Sequence, residues 1–387
     1  MNSKQFETAK MCLKVVTPIN IADGIVLGAK DYLYDSRRQK VYFLNLHQWH
    51  LFIYKHMLLE KYESYLANFR DKQSLLEWLR MQGYDIDDVR TVITSEAQAT
   101  VNLMDSERKK TLNDISRHIQ QPDGSLYVPG SSIKGVFRTA ILYSLLQKRQ
   151  DIKVKYWRQI QEKISSNYFK PYRDFNKLIS DLENELLHTL RLLDGNIRSN
   201  NAVCSAMRGL QVSDTYASRN VQTAILQKVD GGFDKFGKAS PKKLPIFREC
   251  MLPEAELFFD VKIEKAVMNT IAINSVDDLL RATHSFFAAV TDLLQQAFGK
   301  EYQEAFQGVA AGNMFLGSNT GFLSKTLLAM LAPDKDTAKN TIKVLLDKSF
   351  KTHKHLLRDK VIAPRTLKCT NYNGKLMLMG VAGVRKV

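Results

Sequence analysis

The sequence predicts an α+β protein in which helical insertions interrupt a small β-containing core. Three patterns carry that expectation. Short strand candidates separated by turn signals open the chain, two long stretches have helical apolar spacing, and residues 256 to 263 alternate strictly between apolar and polar. The 387 residues exceed one small domain, and at roughly 100 to 200 residues per domain they suggest two or three units.

The elements follow in chain order. Met11 to Val16 is the first strand candidate, ended by Thr17-Pro18 and the Asp23-Gly24 turn. Tyr32 to Tyr34 and Lys40 to Leu44 flank a polar stretch and read as a hairpin. From Leu46 to Leu79 the spacing of Trp49, Phe52, Ile53, His56 and Leu59 is helical, as it is again over Tyr156 to Leu193. These stretches mark helical insertions at about 46–120 and 150–195, with a Pro-Asp-Gly turn at 122–124 between them. Val136 to Gln147 is a helix with Phe137, Ile141 and Leu145 on one face, and it follows directly on Pro129-Gly130-Ser131-Ser132-Ile133-Lys134-Gly135.

Arg219 to Lys243 is basic, contains Gly231-Gly232 and Pro241, and reads as an exposed hairpin or flexible finger within about 216–248. In Glu256 to Ile263, Leu257, Phe259, Val261 and Ile263 face one way, the period of a half-buried strand. Val276 to Phe298 is a core helix with Leu279, Phe286, Val290 and Leu294 on its apolar face. The remainder holds a glycine-rich loop at 312–321, a basic helix-like stretch at 337–358 and a last strand at 375–379. The expected division is 1–265 for the core with its insertions and finger, and 266–387 for a C-terminal α+β, glycine-loop domain.

Charge narrows the function. The chain carries a net +16. Residues 300 to 387 hold 15 Lys/Arg against 6 Asp/Glu, and residues 216 to 248 hold 7 against 2. These segments contribute +9 and +5, nearly all the excess, as a polyanion-binding face requires. The apolar run at 286–290 is far short of the roughly 20 residues that span a bilayer. The polar N-terminus lacks the apolar region of a secretion signal, so the expected location is cytoplasmic, with no membrane partner. Cys12, Cys204, Cys250 and Cys369 stand apart, offering no CxxC pair, so neither a metal nor a cofactor is expected.

A Gly/Ser segment that opens a helix presents unpaired amides and the positive helix end to an anion. Gly130, Ser131, Ser132 and Gly135 have that form, and Lys134 and Arg138 add charge. The pattern is not a nucleotide P-loop, because Ile133 precedes Lys134 and Gly135 follows it. A second loop with Gly317, Gly321 and Lys325 also lacks the P-loop spacing. A mere tight turn is the alternative reading for each.

The run Val128 to Thr139, VPGSSIKGVFRT, resembles the signature of the RAMP proteins of CRISPR systems. Gly209-Leu210-Gln211-Val212-Ser213-Asp214 and Leu252-Pro253-Glu254-Ala255-Glu256 are similar to the two strand-entry motifs that follow it there. Thr17 to Ala22, Phe315 to Thr326, Pro364 to Lys368 and Met379-Gly380 narrow the resemblance to the fifth-subunit family of the type III-A (Csm) effector complex. It implies a ferredoxin-like, RRM-related fold. It also implies a subunit that caps the complex at the 3′ side of the guide RNA, packs on the repeated backbone subunit and assists maturation of that RNA end. Guide RNA and the other Csm subunits are the implied partners, with target RNA and cellular nucleases as further ones. The guide-binding role carries over to Gly130, Ser131, Ser132, Lys134 and Gly135, and to Gly317, Gly321 and Lys325. The basic finger adds Lys235 and Lys238 to the expected RNA-binding residues.

The expectation is a binder without chemistry of its own. Asp31 stands at a place loosely like that of the aspartate with which backbone subunits cut target RNA, but its surroundings match poorly, and a capping or solvated loop carboxylate is the competing reading. His47, His50 and His56 share one predicted helix without an evident third metal ligand, and His353 and His355 sit in a lysine-rich stretch. The rival readings are an endoribonuclease, metal-dependent or metal-independent, that processes the guide, and a basic scaffold that binds no RNA.

Overall fold

The computed structural model describes residues 5–68, 73–100, 112, 114–166, 168–191 and 198–387. Parts of both expected helical insertions, 101–111 and 192–195 among them, lie outside the described residues. Fifteen strands alternate with helices in the described chain: β1 (Phe6–Val15), β2 (Ala22–Leu27), β3 (Tyr32–Asp35), β4 (Lys40–Leu44), β5 (Ile93–Thr100), β6 (Ile115–His118), β7 (Leu210–Val212), β8 (Tyr216–Ala217), β9 (Thr223–Gly231), β10 (Lys242–Met251), β11 (Glu256–Glu264), β12 (Met314–Phe315), β13 (Leu367–Tyr372), β14 (Lys375–Leu378) and β15 (Val381–Lys386). The longer helices are α1 (Leu46–Lys55), α2 (Leu59–Ala67), α3 (Leu75–Met81), α4 (Gly130–Lys148), α5 (Gln150–Ser165), α6 (Pro171–Leu187), α7 (Val276–Phe298) and α8 (Lys335–Ser349).

The strands form two sheets. The first runs β12-β15-β1-β11-β7, with β8 also on β11, and its strands pair antiparallel throughout. The alternation read from residues 256 to 263 puts Leu257, Phe259, Val261 and Ile263 on one face, level with Met11 and Leu13 of β1. Helices α4 and α7 pack together over that face through Ile133, Phe137, Ile141, Phe286 and Val290. Each such side chain removed from water stabilises the unit by roughly 1.5–3 kcal/mol. Ser275 caps α7 by accepting from the Asp278 amide, and Asp277 and Asp278 in the first turn suit the positive helix end.

The second sheet runs β2-β6-β10-β9-β5-β4-β3, and β13 joins β9 while pairing with β14. On one side of its β3–β4 end, Leu33 and Tyr42 pack under the helical lobe α1–α3, whose core is Trp49, Phe52, Tyr62, Tyr65, Trp78 and Leu79. On the other side Tyr32, Tyr34, Phe43, Ile115, Ile225 and Phe247 make a separate cluster.

Several expectations change. The helix expected from Val136 begins at Gly130, because Pro129 occupies the cap position and its carbonyl accepts the amides of Ser132 and Ile133. The Gly/Ser segment is therefore the first turns of α4 rather than a loop before it. Among the described residues of the expected insertion at about 46–120, the first part is helical, while 93–100 and 115–118 are strands that pair with β9 and β10. The basic segment at about 216–248 is a hairpin as expected, but no detached finger: β9 lies between β10 on one side and β5 and β13 on the other, held by buried Ala224, Ile225, Leu226 and Val229. The strand expected at 375–379 is followed by a further one, β15, which pairs with β1, so strand pairing crosses the expected division at residue 265.

Candidate nucleic-acid interface

The residues expected to bind RNA fall in three places. The first is the start of α4. Gly130 donates its amide to Asp214 Oδ1 at 2.7 Å. A Cβ at Gly130 would lie 2.3 Å from the Val212 carbonyl oxygen and 2.6 Å from that of Ser213. Glycine is thus required here for close packing of helix on strand, and the amide is already taken by an internal carboxylate. Ser131 and Gly135 are exposed, and a Cβ at Gly135 would meet nothing within 4 Å. Burial and then the nearby Arg138 guanidinium lower the pKa of Lys134. Arg138 is half exposed and lies 3.5 Å from Glu183 of α6.

The second place is the tip of the β9–β10 hairpin. Lys235 and Lys238 are exposed there, and Lys235 lies over the ring of Phe236, itself 76% exposed. The tip is tied to the end of α7. Phe233 stacks on Phe298 with ring centroids 5.3 Å apart, and the Ser240 amide donates to the Tyr302 hydroxyl at 3.1 Å.

The third place is the loop holding Gly317, Gly321 and Lys325. Gly317 has φ +93, and a Cβ on it would stand 2.4 Å from the Asn20 carbonyl oxygen, so only glycine fits. Buried Asn20 ties this loop to β10: its side-chain amide donates to the Glu249 carbonyl at 2.8 Å, and its side-chain oxygen accepts from the Ser318 hydroxyl. Ser318 Oγ in turn accepts from Arg248 Nε at 3.0 Å, while the other side of the loop lies on Lys368, whose Cγ is 3.5 Å from the Cβ position of Gly321.

Beneath this loop the strand register gathers charge. Arg248 pairs across from Leu226, Thr370 from Lys228 and Lys368 from Asp230. Residues 226, 228 and 230 share one face of β9, and their partners share it too. Asp230 Oδ1 lies 2.9 Å from Lys368 Nζ and 3.6 Å from Lys228 Nζ. Burial and then Lys368 depress Lys228; burial depresses Arg248; burial and then Arg248 depress Lys325. Sequence reasoning missed Arg248, Lys228 and Lys368. The i, i+2 run of Leu226, Lys228 and Asp230 and the quoted stretch Pro364 to Lys368 were the available signals.

The other candidates are engaged elsewhere. Asp31 accepts the Gly28 amide at 2.7 Å, the bond of a capping turn between β2 and β3. His56 Nδ1 lies 2.9 Å from the Tyr84 hydroxyl, and the ring of His50 stands beside Tyr62. Buried His355 bonds Asp359, which also holds Arg365 at 2.8 Å. Among the described residues no three His, Cys, Asp or Glu side chains gather as a metal shell. The four cysteines are buried and unbridged, and no described helix is long and apolar enough to cross a membrane.

A family model described as the RAMP superfamily matches residues 12–303. Over 393 aligned residues the chain is 26% identical to a Mycobacterium tuberculosis protein described as the CRISPR system Cms protein Csm5, covering 97% of this chain and 96% of that one. Among solved structures, a chain of the cryo-EM Csm-crRNA-target RNA ternary complex of a type III-A CRISPR-Cas system superimposes with TM-score 0.64 at 18% identity, over 98% of this chain and all of the other. The crystal structure of T. onnurineus Csm5 gives TM-score 0.58 at 19% identity, over 96% of this chain and 99% of that one.

Proposed function

This chain belongs to the RAMP superfamily, and from that membership we propose that it is a guide-RNA-binding subunit of a type III-A (Csm) interference complex. It caps the guide at its 3′ side, packs on the repeated backbone subunit, and assists maturation of the RNA end without cutting RNA itself. The observation that carries the proposal is the end-to-end likeness to a Csm5 protein, 97% of one chain against 96% of the other. A fragmentary match would leave the assembly role open.

The fold is consistent with this role. The path β1–α4–β7–β11–α7–β15, with strand order β15-β1-β11-β7, follows the β-α-β-β-α-β order of a ferredoxin-like unit, drawing on both ends of the chain. The exposure of Ser131, Gly135 and Arg138 at the start of α4 and of the lysines of the hairpin tip supports a reading in which they contact phosphates. The engagement of Asp31 in a capping bond and of His56 with Tyr84 favours a binder over a nuclease.

Reconstitution tests the proposal. The purified chain is mixed with guide-length RNA and the remaining Csm subunits, and affinity, assembly and RNA integrity are followed. Tight binding, entry into the complex at the guide 3′ side and intact RNA are expected. Exclusion from the assembled complex would overturn the proposal, as would cleavage lost in Asp31→Ala or His47→Ala/His50→Ala.

A further inference from the structure

We infer that Arg248, Lys325, Lys228 and Lys368, under the Gly317–Gly321 loop, form a binding site for one phosphate group of the RNA strand. The inference rests on the RNA-binding reading above and adds to it the residues and the ligand group.

The Arg248 guanidinium carries an unmet hydrogen bond. Arg248 Nη1 is buried and has no partner among the described residues, although Nε of the same guanidinium is held by Ser318. A buried donor on a charged group is costly to leave unpaired, so an anion is the natural complement. The charge balance agrees. Lys228 and Lys368 keep only 16% and 21% of their side-chain surface exposed and share one carboxylate, Asp230. Among the described residues no ion pair joins Arg248 or Lys325 to an acidic side chain, so four cations face one anion. The depressed pKa values of Lys228, Arg248 and Lys325 fit a desolvated positive cluster that lacks its counter-charge.

The geometry prepares this site rather than leaving it to chance. Cross-strand pairing fixes Arg248, Lys228 and Lys368 on one sheet face, and Asn20 fastens the loop above them. Lys325 remains open to solvent at the rim, which gives a strand access. A planar guanidinium with lysine point charges around it suits a tetrahedral phosphate oxyanion.

The test uses the full chain with Lys325→Ala and Arg248→Gln, and Arg248→Lys as the conservative variant. Binding of guide-length RNA is measured against salt, and thermal stability is measured with and without inorganic phosphate. Each loss variant is expected to weaken RNA binding about tenfold and to lower the salt slope by about one. Arg248→Lys should recover part of the affinity. The exposed Lys325 keeps the test valid if Arg248→Gln fails to fold. Wild-type protein that binds RNA with unchanged affinity and slope in both loss variants overturns this site while leaving the RNA reading intact. Wild type that binds no RNA defeats the reading itself. Stabilisation by inorganic phosphate that the variants abolish, with RNA binding unaffected, would assign the site to free phosphate and overturn the inference as stated.

Discussion

The amide of Gly130 donates to the carboxylate of Asp214 at 2.7 Å, so the amino end of α4 already holds an anion belonging to the protein. Gly130 therefore serves the junction of helix and strand, and its signature position reflects packing. Gly130→Ala would drive a methyl group against the Val212 and Ser213 carbonyls. It should cost about 2 kcal/mol or more of folding stability, read by urea denaturation. An unfolding midpoint equal to that of wild type would refute the packing role.

Gly135, five residues further along α4, behaves oppositely. Its Cβ position is open and it sits inside a helix, so Gly135→Ala should raise stability by about 0.5–1 kcal/mol. Gly135→Leu should fold equally well but weaken RNA binding, because bulk replaces the open backbone there. In Lys134→Ala/Arg138→Ala the salt slope of RNA binding should fall by about two, one for each phosphate contact. Equal slopes in wild type and the double variant would remove this helix end from the interface.

The hairpin tip separates anchoring from binding. Phe233→Ala removes the stack on Phe298 and should release the tip, seen as new tryptic cleavage beside Lys235 and Lys238 and a loss of about 1–3 kcal/mol. Lys235→Ala/Lys238→Ala should leave stability unchanged, since both side chains are exposed, while lowering RNA affinity. Tryptic resistance retained in Phe233→Ala would show that the ring stack does not hold the tip.

What the sequence disclosed followed from local periodicity. The strand at 256–263 and the helix at 276–298 were legible because each buries one face, and burial imposes the period of 2 or 3.6 on apolar positions. Strands β5 and β6 were not, since residues such as Gln98 and Arg117 interrupt the apolar pattern and only pairing with distant β9 and β10 makes them strands. The same holds for charge. Lys134 and Arg138 stood out beside a local motif, whereas Arg248 and Lys228 meet across the β9–β10 hairpin and Lys368 joins them from a strand more than a hundred residues further along the chain.

Stability should also depend on pH through a buried histidine of β6, His118. His118 is fully buried, its Nδ1 lies 2.9 Å from the Ile119 carbonyl oxygen, and its Nε2 has no partner among the described residues. Nδ1 is therefore the protonated donor of a neutral ring. Burial pushes its pKa down to about 4 from the ordinary 6.5. Between those values the unfolded chain takes up a proton that the folded chain refuses, so stability is full above about pH 6.5 and is lost as the pH falls towards 4. By pH 5 this single group should remove about 2 kcal/mol relative to pH 7.5. His118→Asn keeps a short side-chain donor but cannot titrate, so its urea midpoint should change less between the two pH values than that of wild type. Parallel pH dependence in both proteins would show that His118 is not the group responsible.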